Sequence, residues 1–280
     1  MSMPRVGHIN FLNVLPLTYS YKHGYAEGLS LTYAVPSTLN DDIKNARLDI
    51  SPISSIEYAG QSENFLILPD ICIRADCDVQ SIVLMSRVPI DQIKNDKIAL
   101  TSKSATSHRL LKIIMAEGYG ASPTYDIENI SAENPIPDDS TASLLIGDDA
   151  LYNYLNTPKN LYCYDIGKEW HNLTGHSMVY AVWVVRKDFA INSPKLLKFA
   201  YNRIISGLQN GIQNKKLAIK SVLSEKPFSY NDLDQYLGGI IKWDLSNEAI
   251  NSLIIYYQAA QRLKLIDNVP DIEFADVKSI

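Results

Sequence analysis

Val6-Gly7-His8-Ile9-Asn10-Phe11-Leu12-Asn13-Val14-Leu15-Pro16-Leu17 reads as one strand-turn-helix unit, and that unit decides the fold class. The apolar stretch that ends at Ile9 has the length of a buried strand. Proline fits a helix only in its first turn, so Leu15-Pro16 marks a helix start. Two asparagines stand between them. In open α/β sheets a ligand binds beyond the carboxyl ends of the strands, which is where Asn10 and Asn13 fall. Asn13 also suits capping of the following helix, and spacing leaves both roles open. His8, near the strand end, is either placed for chemistry or simply packed and hydrogen-bonded.

The same alternation runs on through the chain. Strands are expected at 31–35, 48–53, 65–68, 80–86, 97–101, 142–146 and 178–185, with helical spacing between several of them, as over 107–117. This is the α/β pattern with largely parallel sheets. After Ser193-Pro194, Leu197, Tyr201, Ile204, Leu208 and Ile212 form one apolar helical face, and a second helix starts near Ser246. No linker separates domains. Two lobes in such a chain are most simply joined by strands crossing between them, at 81–88 and 180–186. That expectation assigns 1–85 plus 186–280 to a discontinuous first lobe and 86–185 to a second, with the ligand cleft between.

Three more strand ends carry polar groups. Ser54 and Ser55 open a helix after the strand at 48–53, as caps or as donors to an anion at the helix start. Thr101, Ser102, Ser104, Thr106 and Ser107 crowd the turn before the helix at 107–117. Capping accounts for one hydroxyl, not five. The glycines and lysine spacing of a phosphate loop are missing, so a carboxylate suits this turn better than a nucleotide. After the strand at 142–146, Gly147 permits a tight turn; of Asp148 and Asp149, one is expected to cap the next helix and the other to face the cleft. An acid pair suggests Mg²⁺ only when further carboxylates join it, and none is obvious, so no metal is expected. His23, His171 and His176 lack metal-pair spacing, and no nucleophile elbow occurs.

Bulk properties narrow the partners. The net charge is −5 with no Lys/Arg block, which disfavours nucleic acid. No apolar run reaches the ~18 residues of a membrane span. The start shows no signal-peptide core, and three cysteines make a poor disulfide framework. A cytoplasmic protein is expected, without membrane or nucleic-acid partners.

Taken in order, these motifs resemble the chorismate dehydratase family of the futalosine route to menaquinone. The resemblance rests on residues 5–17, Leu48-Asp49-Ile50, Ser104-x-Thr106-Ser107, Ile146-Gly147-Asp148-x-Ala150-Leu151, Asp165-Ile166-Gly167-Lys168-Glu169-Trp170 and the run at 173–183. It covers nearly the whole chain, though the C-terminal helices add little that is distinctive. It implies a two-lobed type II periplasmic-binding-protein-like fold and a cofactor-independent lyase. Its substrate would be the small dicarboxylate chorismate, dehydrated to 3-[(1-carboxyvinyl)oxy]benzoate. Carried over by motif, Asn13 is an active-site residue, with Ser81, Thr106, Ser107 and Asp148 lining the same cleft. The base is either Asp148 or the substrate's own side-chain carboxylate. A sister enzyme that cleaves cyclic dehypoxanthine futalosine is similar, but its opening reads more like Ser-Pro-Cys-Pro-Asn-Asp-Thr, where this chain has Ile9-Asn10-Phe11-Leu12-Asn13. The remaining alternative is a non-catalytic protein that binds a small anion.

Overall fold

Two five-stranded sheets carry the chain, and each is built on the same plan. The computed structural model describes residues 3–278. Its strands are β1 (Arg5–Ile9), β2 (Ser30–Ala34), β3 (Ile50–Ser54), β4 (Phe65–Ala75), β5 (Ile82–Ser86), β6 (Lys97–Thr101), β7 (Thr124–Glu128), β8 (Ala142–Ile146), β9 (Tyr162–Asp165) and β10 (Met178–Arg186). The first sheet runs β2-β1-β3-β10-β4 and the second β7-β6-β8-β5-β9. In the first, β1 is parallel to β2 and β3, while β10 is antiparallel to β3 and β4. In the second, β6 is parallel to β7 and β8, while β5 is antiparallel to β8 and β9.

Every residue of β3, β5 and β8 is buried. Burial on both faces explains why these strands read as unbroken apolar runs with little alternation. The edge strands β7 and β9 carry Thr, Tyr, Asp and Glu, and β7 is exposed or half-buried throughout. Nothing in their sequence marks them as strands, because an edge buries little.

The stretches expected to cross between lobes, 81–88 and 180–186, turn out to be ordinary sheet members. β5 pairs with β8 from Ile82↔Ile146 to Ser86↔Ala142, and β10 pairs with β3 and β4. A fully buried strand must have its backbone groups paired, which a bridge between sheets cannot offer. The chain instead changes sheet where the ladders stop. One change is at 76–81, between β4 and β5; the other is the helix Ile166–Thr174 with residues 175–177, between β9 and β10. By sheet membership, the divisions expected at 85/86 and 185/186 lie at these earlier stretches.

The C-terminal helices Pro194–Gln213 and Asn247–Arg262 cover the first sheet and the join between sheets. Leu197, Tyr201, Ile204 and Leu208 are buried, but Ile212, at the end of the same stripe, is 43% exposed. Ser246 caps the second helix by accepting the N–H of Ala249. No helix among the described residues is long and apolar enough to cross a membrane. All three cysteines are free.

Candidate functional site

The carboxyl ends of β1, β3 and β8 and the turn after β6 converge on a small cavity of about 50 Å³, below the roughly 300–1,000 Å³ usual for a small-molecule site. Larger surface concavities exist, such as one near Arg109 and Lys264, but they lie away from the strand ends. The polar lining is Asn13, Ser54, Ser81, Ser104, Thr106 and Ser107, together with Tyr180. Ile9, Phe11, Ile73, Val79, Ile146 and Ile241 supply apolar wall. Among the described residues, no charged side chain lines it. An anion held here would rely on neutral donors and on the helix starts at Thr106 and Gly147.

Asn13 does not cap a helix. The N-cap position before Leu15–Ser20 is Val14, and no side chain bonds there. Asn13 anchors itself through its backbone carbonyl, which accepts the indole N–H of Trp243 at 2.9 Å. Its side-chain Oδ1 is buried without a partner. Such an atom, left without any partner, costs about 1–3 kcal/mol.

The serines after β3 divide. Ser54 lines the cavity and is fixed by Asn40, whose Oδ1 accepts the Ser54 N–H at 3.0 Å. Ser55 lies behind the wall, donating to the Val179 carbonyl at 2.8 Å. In the hydroxyl-rich turn, Ser104 and Ser107 share a hydrogen bond of 2.9 Å. Thr106 Oγ1 accepts the N–H of Ile56 at 3.3 Å, tying this turn to the helix after β3. The N-cap residue, Ala105, makes no side-chain bond, while Ser104 Oγ accepts the N–H of Ser107 in the first turn at 3.4 Å. Ser81 closes the hinge side; its Oγ accepts from the Tyr236 hydroxyl at 2.8 Å.

Gly147 begins the helix Gly147–Leu155 with φ of +68°. A Cβ there would meet the Phe11 ring at 2.8 Å. Only glycine lets the two lobes close this tightly across the cavity mouth.

Four of the expected site residues lie elsewhere. Asn10 is exposed and outside the cavity. Ser55 sits in the wall, as described. Asp148, expected as a possible base, does not line the cavity, and both its oxygens are engaged. Oδ1 accepts the Leu12 N–H at 3.0 Å and Oδ2 pairs with Lys226 at 2.7 Å. It therefore joins the second sheet's helix to the first lobe. Neither aspartate caps, because the helix starts ahead of both, at Gly147, with Ile146 in the cap position. Asp149 pairs with Lys103 at 2.9 Å.

His8 is the fourth. It is buried, its Nε2 lies 2.7 Å from Thr18 Oγ1, and it packs edgewise against Tyr21 and Tyr33. Burial pulls its pKa down to about 3. The unfolded chain protonates this ring near 6.5, the folded one only near 3. Its contribution to stability is thus intact above 6.5 and is lost as the pH falls, at about 1.4 kcal/mol per unit. His8→Gln is expected to flatten the pH dependence of urea unfolding between about pH 6 and pH 4.5. An unchanged slope would contradict this.

At the hinge, Asp165 accepts N–H bonds from four backbone groups. Val79 and Gln80, in the first sheet-changing stretch, donate at 3.0 and 2.6 Å. Gly167 and Lys168, at the start of the second, donate at 2.9 and 3.1 Å. One carboxylate thereby fastens both crossings, next to Ser81. Burial raises its pKa, opposed by the bonds from Val79, Gln80 and Lys168. Sequence reading missed this role, as it missed Tyr236 and Lys226, because Val79, Ser81 and Asp148 lie far from them in the chain. Among the described residues no group of three or more His, Cys, Asp or Glu gathers as a metal site.

A family model described as menaquinone biosynthesis matches residues 4–262. The chorismate dehydratase of Campylobacter jejuni is 28% identical over 267 residues, covering 92% of this chain and 98% of that protein. The chorismate dehydratase of Thermus thermophilus is 29% identical over 202 residues, covering 65% and 70%. Among solved structures, protein AF1704 of Archaeoglobus fulgidus superposes with a TM-score of 0.74 at 18% identity, covering 94% of this chain and 98% of that one. The periplasmic aliphatic sulphonate binding protein SsuA of Escherichia coli gives 0.67 at 10% identity, covering 97% and 91%. These likenesses show the periplasmic-binding-protein-like fold.

Proposed function

We propose, from the premise that the chain belongs to the menaquinone biosynthesis family, that this protein dehydrates chorismate to 3-[(1-carboxyvinyl)oxy]benzoate. The observation that carries the reading is the Asn13 Oδ1, unpartnered in a cavity at the strand ends that is lined, among the described residues, by neutral polar and apolar groups. Two relatives covering most of the chain bear the name of this activity.

The chemistry suits such a site. The proton on C3 of chorismate is acidic, because its loss gives an anion conjugated through the C1–C2 double bond to the ring carboxylate. Departure of the C4 hydroxyl then completes an aromatic ring. One C–H and one C–O bond break, one water leaves, and no electrons are exchanged with an outside partner. The protein must hold a dianion, stabilise charge spreading onto the ring carboxylate, and help hydroxide depart.

In this reading Ser104, Thr106 and Ser107, with the helix start behind them, receive the ring carboxylate. Asn13 and Ser81 hold the C4 hydroxyl and the enolpyruvyl arm. The proton on C3 is taken by the substrate's own enolpyruvyl carboxylate, and the protein enforces the geometry. The engaged oxygens of Asp148 favour this assignment over a protein base. Closed lobes exclude water and strengthen each contact. The lyase needs no cofactor, and three free cysteines are in keeping with a place in the cytoplasm.

Asp148→Asn gives a direct check on the base. A lost general base costs about 10²–10⁴ in rate. With Asp148 serving only to join the lobes, kcat in steady-state assays is expected to stay within about fivefold of the parent. A loss of a hundredfold or more would return the proton transfer to Asp148.

The proposal itself is tested by incubating purified protein with chorismate and following the product by ultraviolet absorption and mass. Conversion to an aromatic acid lighter by one water is expected. Chorismate bound but recovered unchanged would mean a binding protein. Cleavage of cyclic dehypoxanthine futalosine in its place would mean the sister enzyme.

A further inference from the structure

β10 contains one residue more than its neighbour can match. Against β4, Val179 pairs with Arg74 and Ala181 with Ile73, so Tyr180 has no partner and forms a bulge. Bulges re-aim a side chain and collect beside active sites. Here the re-aimed ring lines the cavity, next to Ala181, which pairs with Ser54 across the sheet.

The hydroxyl of Tyr180 is buried and has no hydrogen-bond partner. Three tyrosine hydroxyls near the cavity are satisfied: Tyr236 donates to Ser81, Tyr256 to the Thr106 carbonyl, and Tyr257 to the Ser55 carbonyl; that of Tyr21, packed on His8 outside the cavity lining, is not. Gly167 packs against Tyr180: a Cβ there would meet the Cys77 carbonyl oxygen at 2.4 Å and Tyr180 Oη at 2.7 Å. The bulge thus seats a phenol whose hydroxyl bonds to nothing among the described residues. Two orphaned polar atoms, Asn13 Oδ1 and Tyr180 Oη, belong to residues lining one cavity.

We propose that Tyr180 is a substrate-contacting hydrogen-bond donor of this cavity, recognising an oxygen of the bound dicarboxylate from the hinge side. The inference rests on the reading of the cavity as the chorismate site. Burial and the nearby Asp165 hold the phenol well above its ordinary pKa, so it stays neutral and donates throughout the working pH range. It is therefore a donor to the substrate and not the acid or base of the reaction.

Tyr180→Phe keeps the ring and the bulge and removes only the orphaned hydroxyl. The expected result is a 10- to 100-fold fall in kcat/KM for chorismate, about the loss of one buried donor. The thermal midpoint should be equal to or above that of the parent, because an unsatisfied buried group has been removed. The pH profile should keep its shape. Turnover within threefold of the parent would overturn the inference, and so would a lowered midpoint accompanying the loss, which marks a structural hydroxyl. Parent protein run alongside separates the two claims: if it converts chorismate and Tyr180→Phe does so equally well, only the role of Tyr180 falls. If the parent leaves chorismate intact, both fall.

Discussion

Asn13→Ala lowers kcat/KM for chorismate by about 10²- to 10³-fold, the range seen when one preorganised donor or acceptor is removed from a site where charge develops. Its thermal midpoint should stay near that of the parent. The separation of the two effects follows from the local geometry. Asn13 is tied into the fold by its backbone carbonyl on Trp243, which the substitution leaves in place. The side chain contributes no cap and its Oδ1 no bond, so removing it takes away little that stabilises the free protein. Asn13→Asp makes a stricter companion. It preserves shape but sets a negative charge in a cavity with no charged lining, facing a dianion, and should lose at least as much. Steady-state kinetics on both variants, with melting curves, check the claim. Rates within a fewfold of the parent would remove Asn13 from the site.

The second large effect falls on stability. Asp165 is 5% exposed and satisfies the N–H groups of Val79, Gln80, Gly167 and Lys168. Asp165→Ala leaves these donors without their acceptor. Each orphaned donor costs about 1–3 kcal/mol, and partial relaxation should leave a total near 3–5 kcal/mol. Gln80 adds a reason for local sensitivity, since it sits at φ of +59°, which a side-chain-bearing residue rarely adopts. With its anchor gone, the stretch that presents Ser81 to the cavity should relax, so activity falls together with stability. Asp165→Asn keeps one acceptor oxygen and should recover roughly half of the loss. Urea unfolding of the three proteins measures this; a change below about 1 kcal/mol for Asp165→Ala would contradict the hinge assignment.

Much of this architecture was legible in the sequence. β1, β6 and β8 lie where the apolar runs end, since a strand buried on both faces leaves an uninterrupted signature. The hydroxyl turn at Ser104–Ser107 stands out in the sequence because capping needs fewer hydroxyls than it holds, and it lines the cavity. Asn13 could not be resolved by spacing, as a cap and a ligand contact occupy the same place at a strand-to-helix turn. The structure removes the cap, since Val14 holds the N-cap position and Asn13 Oδ1 is unpaired. What stayed hidden depends on long-range pairing. Asp148 looks like a cleft acid until Leu12 and Lys226 arrive from the other lobe. Tyr180 reads as one more apolar strand residue, because a bulge leaves no mark in the one-dimensional pattern. The crossings escaped for a related reason: they are short irregular stretches between strands, while the long apolar runs near them belong to the sheets.

The central claim is that the closed space between the two sheets is where chorismate reacts. A crystal structure grown with 3-[(1-carboxyvinyl)oxy]benzoate tests it most directly. The account predicts the aromatic acid between Asn13 and the Ser104–Ser107 turn, with one carboxylate on the hydroxyls. Density for the product on an outer surface, with this cavity empty, would contradict it.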